Sequence, residues 1–329
     1  PILNATDLTK LRQSMRLLTD ALGHRSRVII TCQQRFEKEG FVTREVKPLA
    51  SEYAVTLFHR FSDSLYARED YDELIGFVAG DLAAHPLSIK IVGRYGSDLN
   101  LQFTELRRLW KEKWQEIADQ APSMDDRGLL TAFELTFGSL SESEKLLFRT
   151  LALLPDGMSS ELINAVWPDR ETVIYNALRT LRNRSLLEDP VPRSLGRLRG
   201  PLFQFALIKK NESDANGQDA ISAELRNSAG AIDAFFDVYV ARNAPQETDI
   251  DPQQKNELLR AQFHNIHASL DRRLEPSTKP ATVSAANAVL LLYWAYHNNL
   301  SGANNPISST EDATTYLSKA ADVFLANSM

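Results

Sequence analysis

The sequence predicts a mainly α-helical chain of several domains: the trailing edge of an α/β unit, a four-helix bundle, a winged helix and the first helices of a helical array. Three observations predict it. Apolar residues recur at alternating spacings of three and four over most of the chain. Short strand-like runs are read only near residues 27–46, where they are β-branched, and again near 185–205. Proline, glycine and polar stretches cut the 329 residues into blocks, and at about 150 residues per domain that length holds about two domains or three small ones.

The first block opens with an amphipathic helix, on which Leu8, Leu11, Met15, Leu18 and Leu22 form one face and Gly23 ends it. Arg27 to Cys32 then reads as a strand buried on both faces, and Phe41 to Val46 as a second. Two strands cannot make a doubly wound sheet, so the rest of the sheet is expected upstream of Pro1. The start on Pro1, without methionine or leader, agrees with a chain that begins in mid-protein.

Helical spacing dominates from Ser51 to Gln120. Ser51 to Tyr66 carries Val55, Phe58, Phe61 and Leu65, and Tyr71 to Ala84 carries Leu74, Phe77, Val78 and Leu82. Pro86 to Tyr95 adds Leu87, Ile91 and Val92; Phe103 to Ala118 adds Leu106, Trp110, Trp114 and Ile117. These four helices predict a bundle. The polar stretch Ala121 to Asp126 reads as a linker.

After a helix at Leu129 to Leu140, Ser141-Glu142-Ser143-Glu144 is a capping box, in which serine hydroxyl and glutamate carboxylate each satisfy a free amide of the first turn. That helix carries Leu147, Phe148 and Leu151 and ends at Leu154-Pro155-Asp156-Gly157. Ser160 to Trp167 is a short helix stopped by Pro168, and the next, capped by Asp169, presents Val173, Ala177, Leu178 and Leu181. Ser185 to Glu188 reads as a strand, Pro190 to Gly200 as a loop and Leu202 to Phe205 as a returning strand. Helices followed by a hairpin give the order of a winged helix. Beyond the polar stretch Asn211 to Asp219, helices are expected near Ile221 to Ala241, Asp251 to Arg273, Ala281 to His297 and Glu311 to Asn327, as in a stacked array. The predicted domains are residues 1–48, 49–121, 127–210 and 220–329.

Composition narrows the function. With 43% hydrophobic and 24% charged residues, the chain is neither disordered nor collagen-like. No apolar run reaches the roughly 18 residues of a membrane span. The single cysteine, Cys32, permits no internal disulfide and suits a reducing cytoplasm, where it reads better as a small core residue than as a nucleophile. A net charge of -6 disfavours a generally basic nucleic-acid binder. Of six histidines only His264 and His267 share a helical face, without a cysteine or carboxylate at ligand spacing, so no metal site and no catalytic residue are assigned.

Several motifs in order resemble a known family. Ile29-Ile30-Thr31-Cys32, then Val46 to Ala54, then Ala84-His85-Pro86-Leu87-Ser88-Ile89, look like the second half of an NB-ARC-type STAND ATPase module. Phe133 to Leu140 with Leu146 to Pro155 resembles the entry to that family's winged helix, and Phe263 to Leu270 the helix opening the tetratricopeptide-like region of bacterial members. The resemblance implies the C-terminal part of a P-loop domain, a helical domain and a winged helix that close over ADP, and a sensor region. It further implies ADP or ATP with magnesium in a full-length protein, upstream P-loop and effector domains, a trigger ligand or protein, and homo-oligomerisation on activation. Bacterial defence or transcription regulation would be the output. Thr31, Cys32 and Arg35 would lie near the γ-phosphate and Pro86 against the adenine, with His85 and Leu87 beside it in the nucleotide site. The departures are plain. No Gly-x-x-x-x-Gly-Lys-Ser/Thr occurs, so this chain alone is expected neither to hydrolyse ATP nor to bind nucleotide tightly. Cys32 stands where the sensor arginine is usual, and Phe203 to Ile208 lacks the expected histidine.

A rival reading comes from Arg179, Arg182, Arg184, Arg193, Arg197 and Arg199, a basic cluster on the expected recognition helix and wing. Arginines there would grip phosphate or read guanine, which makes a DNA-binding regulator the alternative.

Overall fold

The structure, a computed structural model, describes residues 46–117, 124–188, 194–198, 200–216, 220–243, 257–259 and 261–274. The sequence-expected helix at 8–22, the strand at 27–32, the strand at 41–46 except its exposed last residue Val46, and the helices beyond residue 274 lie outside them. Among the described residues the chain is helical, with no β-strand; Met158 and Gly196 form an isolated antiparallel bridge. None of these helices is long and apolar enough to cross a membrane.

Helix α1 spans Ser51–Phe61 and α2 spans Tyr71–Ile75, opened by Asp70, whose carboxylate accepts from the Asp72 and Glu73 amides. A π-helical segment, Gly76–Asp81, continues α2. Helix α3 is Pro86–Asp98 and α4 is Phe103–Glu116. Their core is aromatic: Phe77 meets Phe58, Phe103 and Trp110 edge-on, with ring centroids 5.6 to 6.0 Å apart. The sequence carried α1 through to Tyr66, but the helix stops at Phe61 and Asp63 and Ser64 take left-handed backbone (φ 49° and 59°). That break rotates the apolar stripe, so Tyr66 is buried in place of Leu65.

Helix α5, Met124–Gly138, packs on both α3 and α4 and also meets α9, joining the first helices to the rest. The polar stretch read as a linker therefore leads into a core helix that starts before the expected Leu129. Helix α6, Glu142–Leu151, carries the capping box as read, and α7 and α8 follow at Ser160–Val166 and Glu171–Asn183. Helices α9, α10 and α11 are Pro201–Asn216, Ala220–Asn243 and Phe263–Leu274. One apolar core runs through all of them.

The expected wing is absent, because both of its strands are something else. Leu202, Phe205, Ala206, Lys209 and Ser213 are all buried, a 3.6-residue period and not an alternation. Phe205 is driven into a nest of Phe133, Phe137 and Phe148, at 5.2, 5.8 and 6.0 Å between centroids, which only the helical face can reach. Proline fits here as the first residue of α9, where its missing amide costs nothing. The other strand, Ser185 to Glu188, is the end of α8: the Ser185 amide donates to Arg182 O at 2.8 Å and the Leu186 amide to Leu181 O at 2.9 Å, with Ser185 at φ 61°. This is a Schellman closure, and Leu186 and Leu187 are buried in succession. A P-loop α/β edge and a winged helix both need a sheet, and none stands among the described residues. The fold class is corrected accordingly: the described residues are all-helical.

Candidate functional site

Thr31, Cys32 and Arg35 lie outside the described residues. His85, Pro86 and Leu87 form a helix start: His85 is the N-cap of α3, its Nδ1 accepting from the Ser88 amide at 3.4 Å, and Pro86 is exposed at the first helical position. Just before them Ala83 and Ala84 are left-handed (φ 53° and 49°), closing the π-helical turn. Asp81, at the end of that turn, has its carboxyl pushed above the usual range by burial, against the opposing pull of Arg107 and Lys111.

The arginines proposed to hold DNA are turned to the protein. Arg182 donates to the Leu195 carbonyl, Arg184 donates to Ser139 Oγ at 2.8 Å and faces Asp98 at 3.7 Å, and Arg197 donates to Glu188 at 2.7 Å. Only Arg179 of the four stands exposed, beside Asn176. Such guanidinia bind the ends of α3, α5 and α8 together and are not free for phosphate. Arg193 and Arg199 lie outside the described residues.

Two places gather residues from distant parts of the chain. The first is the turn between α6 and α7. Asp156 Oδ2 accepts from the amides of His264 at 2.6 Å and Asn265 at 3.3 Å, at the start of α11. The Asn265 side chain, fully buried, returns the grip: its Oδ1 accepts from the Asp156 amide and its Nδ2 donates to Gly157 O, both at 2.8 Å. On the far side of the turn the Met158 amide donates to Gly196 O and the Leu195 amide to Met158 O. Gly157, at φ +84°, is required here: a Cβ would fall 2.5 Å from Gly196 O and 2.6 Å from Arg197 Cβ. Burial pushes the Asp156 carboxyl up, against the pull of His264, its two amide donors and Arg197. Nothing in the sequence paired Asp156 with Asn265, because the contact spans more than a hundred positions.

The second is a cavity of about 160 Å³ between α6 and α8. Leu146, Leu147, Trp167, Val173 and Ile174 make its walls, and Glu142, Arg170 and Glu224 stand at its rim, Arg170 ion-paired to Glu224. The sequence placed Val173 in the core, but the structure buries Ile174 and leaves Val173 47% exposed at the mouth. The cavity is smaller than the roughly 300 Å³ at which small-molecule sites begin, so it suits one side chain and not a nucleotide. Among the described residues no three histidine, cysteine or carboxylate side chains are grouped to hold a metal.

Comparison with family models, with curated proteins and with solved structures matched none of them. The nucleotide-switched signalling core and the winged-helix regulator are both set aside: the described chain is helical without a sheet, Arg182, Arg184 and Arg197 are consumed internally, and no relative supports either.

Proposed function

We propose that the described part of the chain is a helical protein-binding scaffold that takes one apolar side chain of a partner protein into the cavity between α6 and α8. The observation that carries this reading is the cavity itself: apolar walls, side-chain volume and an open mouth at Val173. Both rim carboxylates already have cationic partners, Glu142 in Lys145 at 2.8 Å and Glu224 in Arg170, so the match rests on the apolar anchor. Elsewhere in the described chain Lys209, Arg242, Arg108 and Glu105 sit in ion pairs, and Asp156 caps a helix. No acid and base converge on the cavity as proton transfer would require.

The test is selection of displayed peptides on the folded chain. A consensus with one aliphatic or aromatic anchor is expected, with binding lost in Val173→Glu and kept in Val238→Glu, another exposed valine, on α10. Peptides that bind equally well to both variants, or no selected peptides at all, would overturn the reading.

A further inference from the structure

The lining of the cavity between α6 and α8 runs from an exposed rim to a buried floor. Glu142, Ser143 and Arg170 are exposed, whereas Leu147, Thr150 and Ile174 are buried. Charge is confined to the rim, where Arg170 pairs with Glu224 and Glu142 with Lys145. Of the three floor residues Thr150 alone carries a polar side-chain atom, and its hydroxyl donates to the Leu146 carbonyl of its own helix at 2.9 Å. The floor therefore offers an incoming side chain hydrocarbon and one hydroxyl oxygen whose proton is already committed.

Size sets the second limit. An apolar cavity of roughly 150 Å³ takes up benzene, and this one holds about 160 Å³. One phenyl ring, or one leucine or methionine side chain, fills it. Tyrosine adds a hydroxyl at the tip of the ring, and tryptophan adds a second ring with an N–H. Either polar group loses its water on entering, and hydrocarbon walls return no hydrogen bond in exchange.

We propose that the cavity, read as above as the seat of a partner's side chain, selects an anchor without hydrogen-bonding groups: Leu, Met or Phe. Tyr and Trp are excluded, and Leu147, Thr150 and Ile174 set the limit. The selectivity rests on that reading of the cavity and narrows it from apolar anchors in general to three residue types. Tyr is the closest competitor, because an apolar pocket rejects a side chain that merely adds a hydroxyl by no more than about a hundred-fold.

Peptides selected on the folded chain, and lost in Val173→Glu, are resynthesised with Leu, Met, Phe, Tyr or Trp as the anchor and titrated by fluorescence anisotropy. The Leu, Met and Phe forms are expected to bind within about ten-fold of one another, with the Tyr and Trp forms at least about ten-fold weaker than the Phe form. Thr150→Val, which exchanges the floor hydroxyl for a methyl group, is expected to bind the Phe form at least as tightly. Ile174→Val removes one methyl from the lining and is expected to narrow the gap between the Phe and Trp forms. A Tyr or Trp form that matches or exceeds the Phe form would overturn the selectivity and leave the anchor reading standing. So would loss of the Phe form in Thr150→Val, since the hydroxyl would then be a contact. Failure to find any peptide whose binding depends on Val173 would overturn both.

Discussion

The Lys209 ammonium lies 2.6 Å from the Glu134 carboxylate and 5.4 Å from the centre of the Phe205 ring, so one buried cation ties α9 to α5. Burial alone would lower its pKa, but the pairs with Glu134 and Glu212 outweigh this and raise it above the ordinary lysine value. Breaking one side of such a pair costs more than replacing both. Lys209→Ala is expected to destabilise the fold by about 3 kcal/mol in urea titration, and the double variant Lys209→Met with Glu134→Gln to recover most of that. A lysine raised in the folded state contributes fully below its unfolded value, and the contribution is lost as pH rises through the folded one. The stability gap between the chain and Lys209→Ala should therefore close only at strongly alkaline pH.

Arg149 presents the opposite case. Its guanidinium stands 5.3 Å from the Phe137 ring centre, with Nε and Nη1 buried and without a hydrogen-bond partner. A ring face compensates only part of the lost hydration. Arg149→Met keeps the stem and removes the stranded donors, and is expected to raise the thermal midpoint by an amount corresponding to about 1 kcal/mol.

Gly93 sets how closely α1 and α3 approach. A Cβ there would lie 3.2 Å from Phe61 Cβ and 3.3 Å from the Ser62 amide nitrogen, and backbone cannot step aside as a side chain can. Gly93→Ala is expected to cost about 1 to 3 kcal/mol by chemical denaturation. At Gly76, which begins the π-helical segment, a Cβ meets nothing within 4 Å, so Gly76→Ala should be neutral or stabilising by up to about 1 kcal/mol.

Ser185 and Gly157 are both left-handed and respond oppositely to change. Ser185→Gly relieves the clash of a Cβ in that conformation and should stabilise by about 1 kcal/mol, read as a shifted denaturation midpoint. Gly157→Ala adds a Cβ against Gly196 O and Arg197 and should lower stability by more than about 2 kcal/mol.

At the start of α6, the Ser141 hydroxyl accepts from the Glu144 amide at 3.4 Å and the Glu144 carboxylate accepts from the Ser141 amide at 2.8 Å. Removing the hydroxyl in Ser141→Ala is expected to cost about 1 kcal/mol, and Ser141→Asp to restore it, as followed by thermal melting.

Local chemistry was legible wherever a signal is complete within one or two turns. The capping box at Ser141, the proline start of α3 at Pro86 and the Leu106–Trp110 stripe of α4 each stand where the residues put them. The stretch Leu202 to Phe205 was misread because four apolar-rich residues satisfy a two-residue and a 3.6-residue period alike. Adding Ala206, Lys209 and Ser213 separates the two, and a lysine at a buried position hides the pattern until its partner Glu134 is known. The arginine cluster failed as a nucleic-acid signal for a similar reason: composition counts charges and says nothing of which way they face.

The sequence by itself determined a helical chain, most of the helix starts and the residues that fill the aromatic core, because propensity, caps and apolar spacing act over a few residues. Tertiary structure alone decided that Arg184 would meet Asp98, that Asp156 would meet Asn265 and that Val173 would stand at a cavity mouth. These contacts bring together residues far apart in the chain, and their partners are selected by burial and shape after the helices have formed.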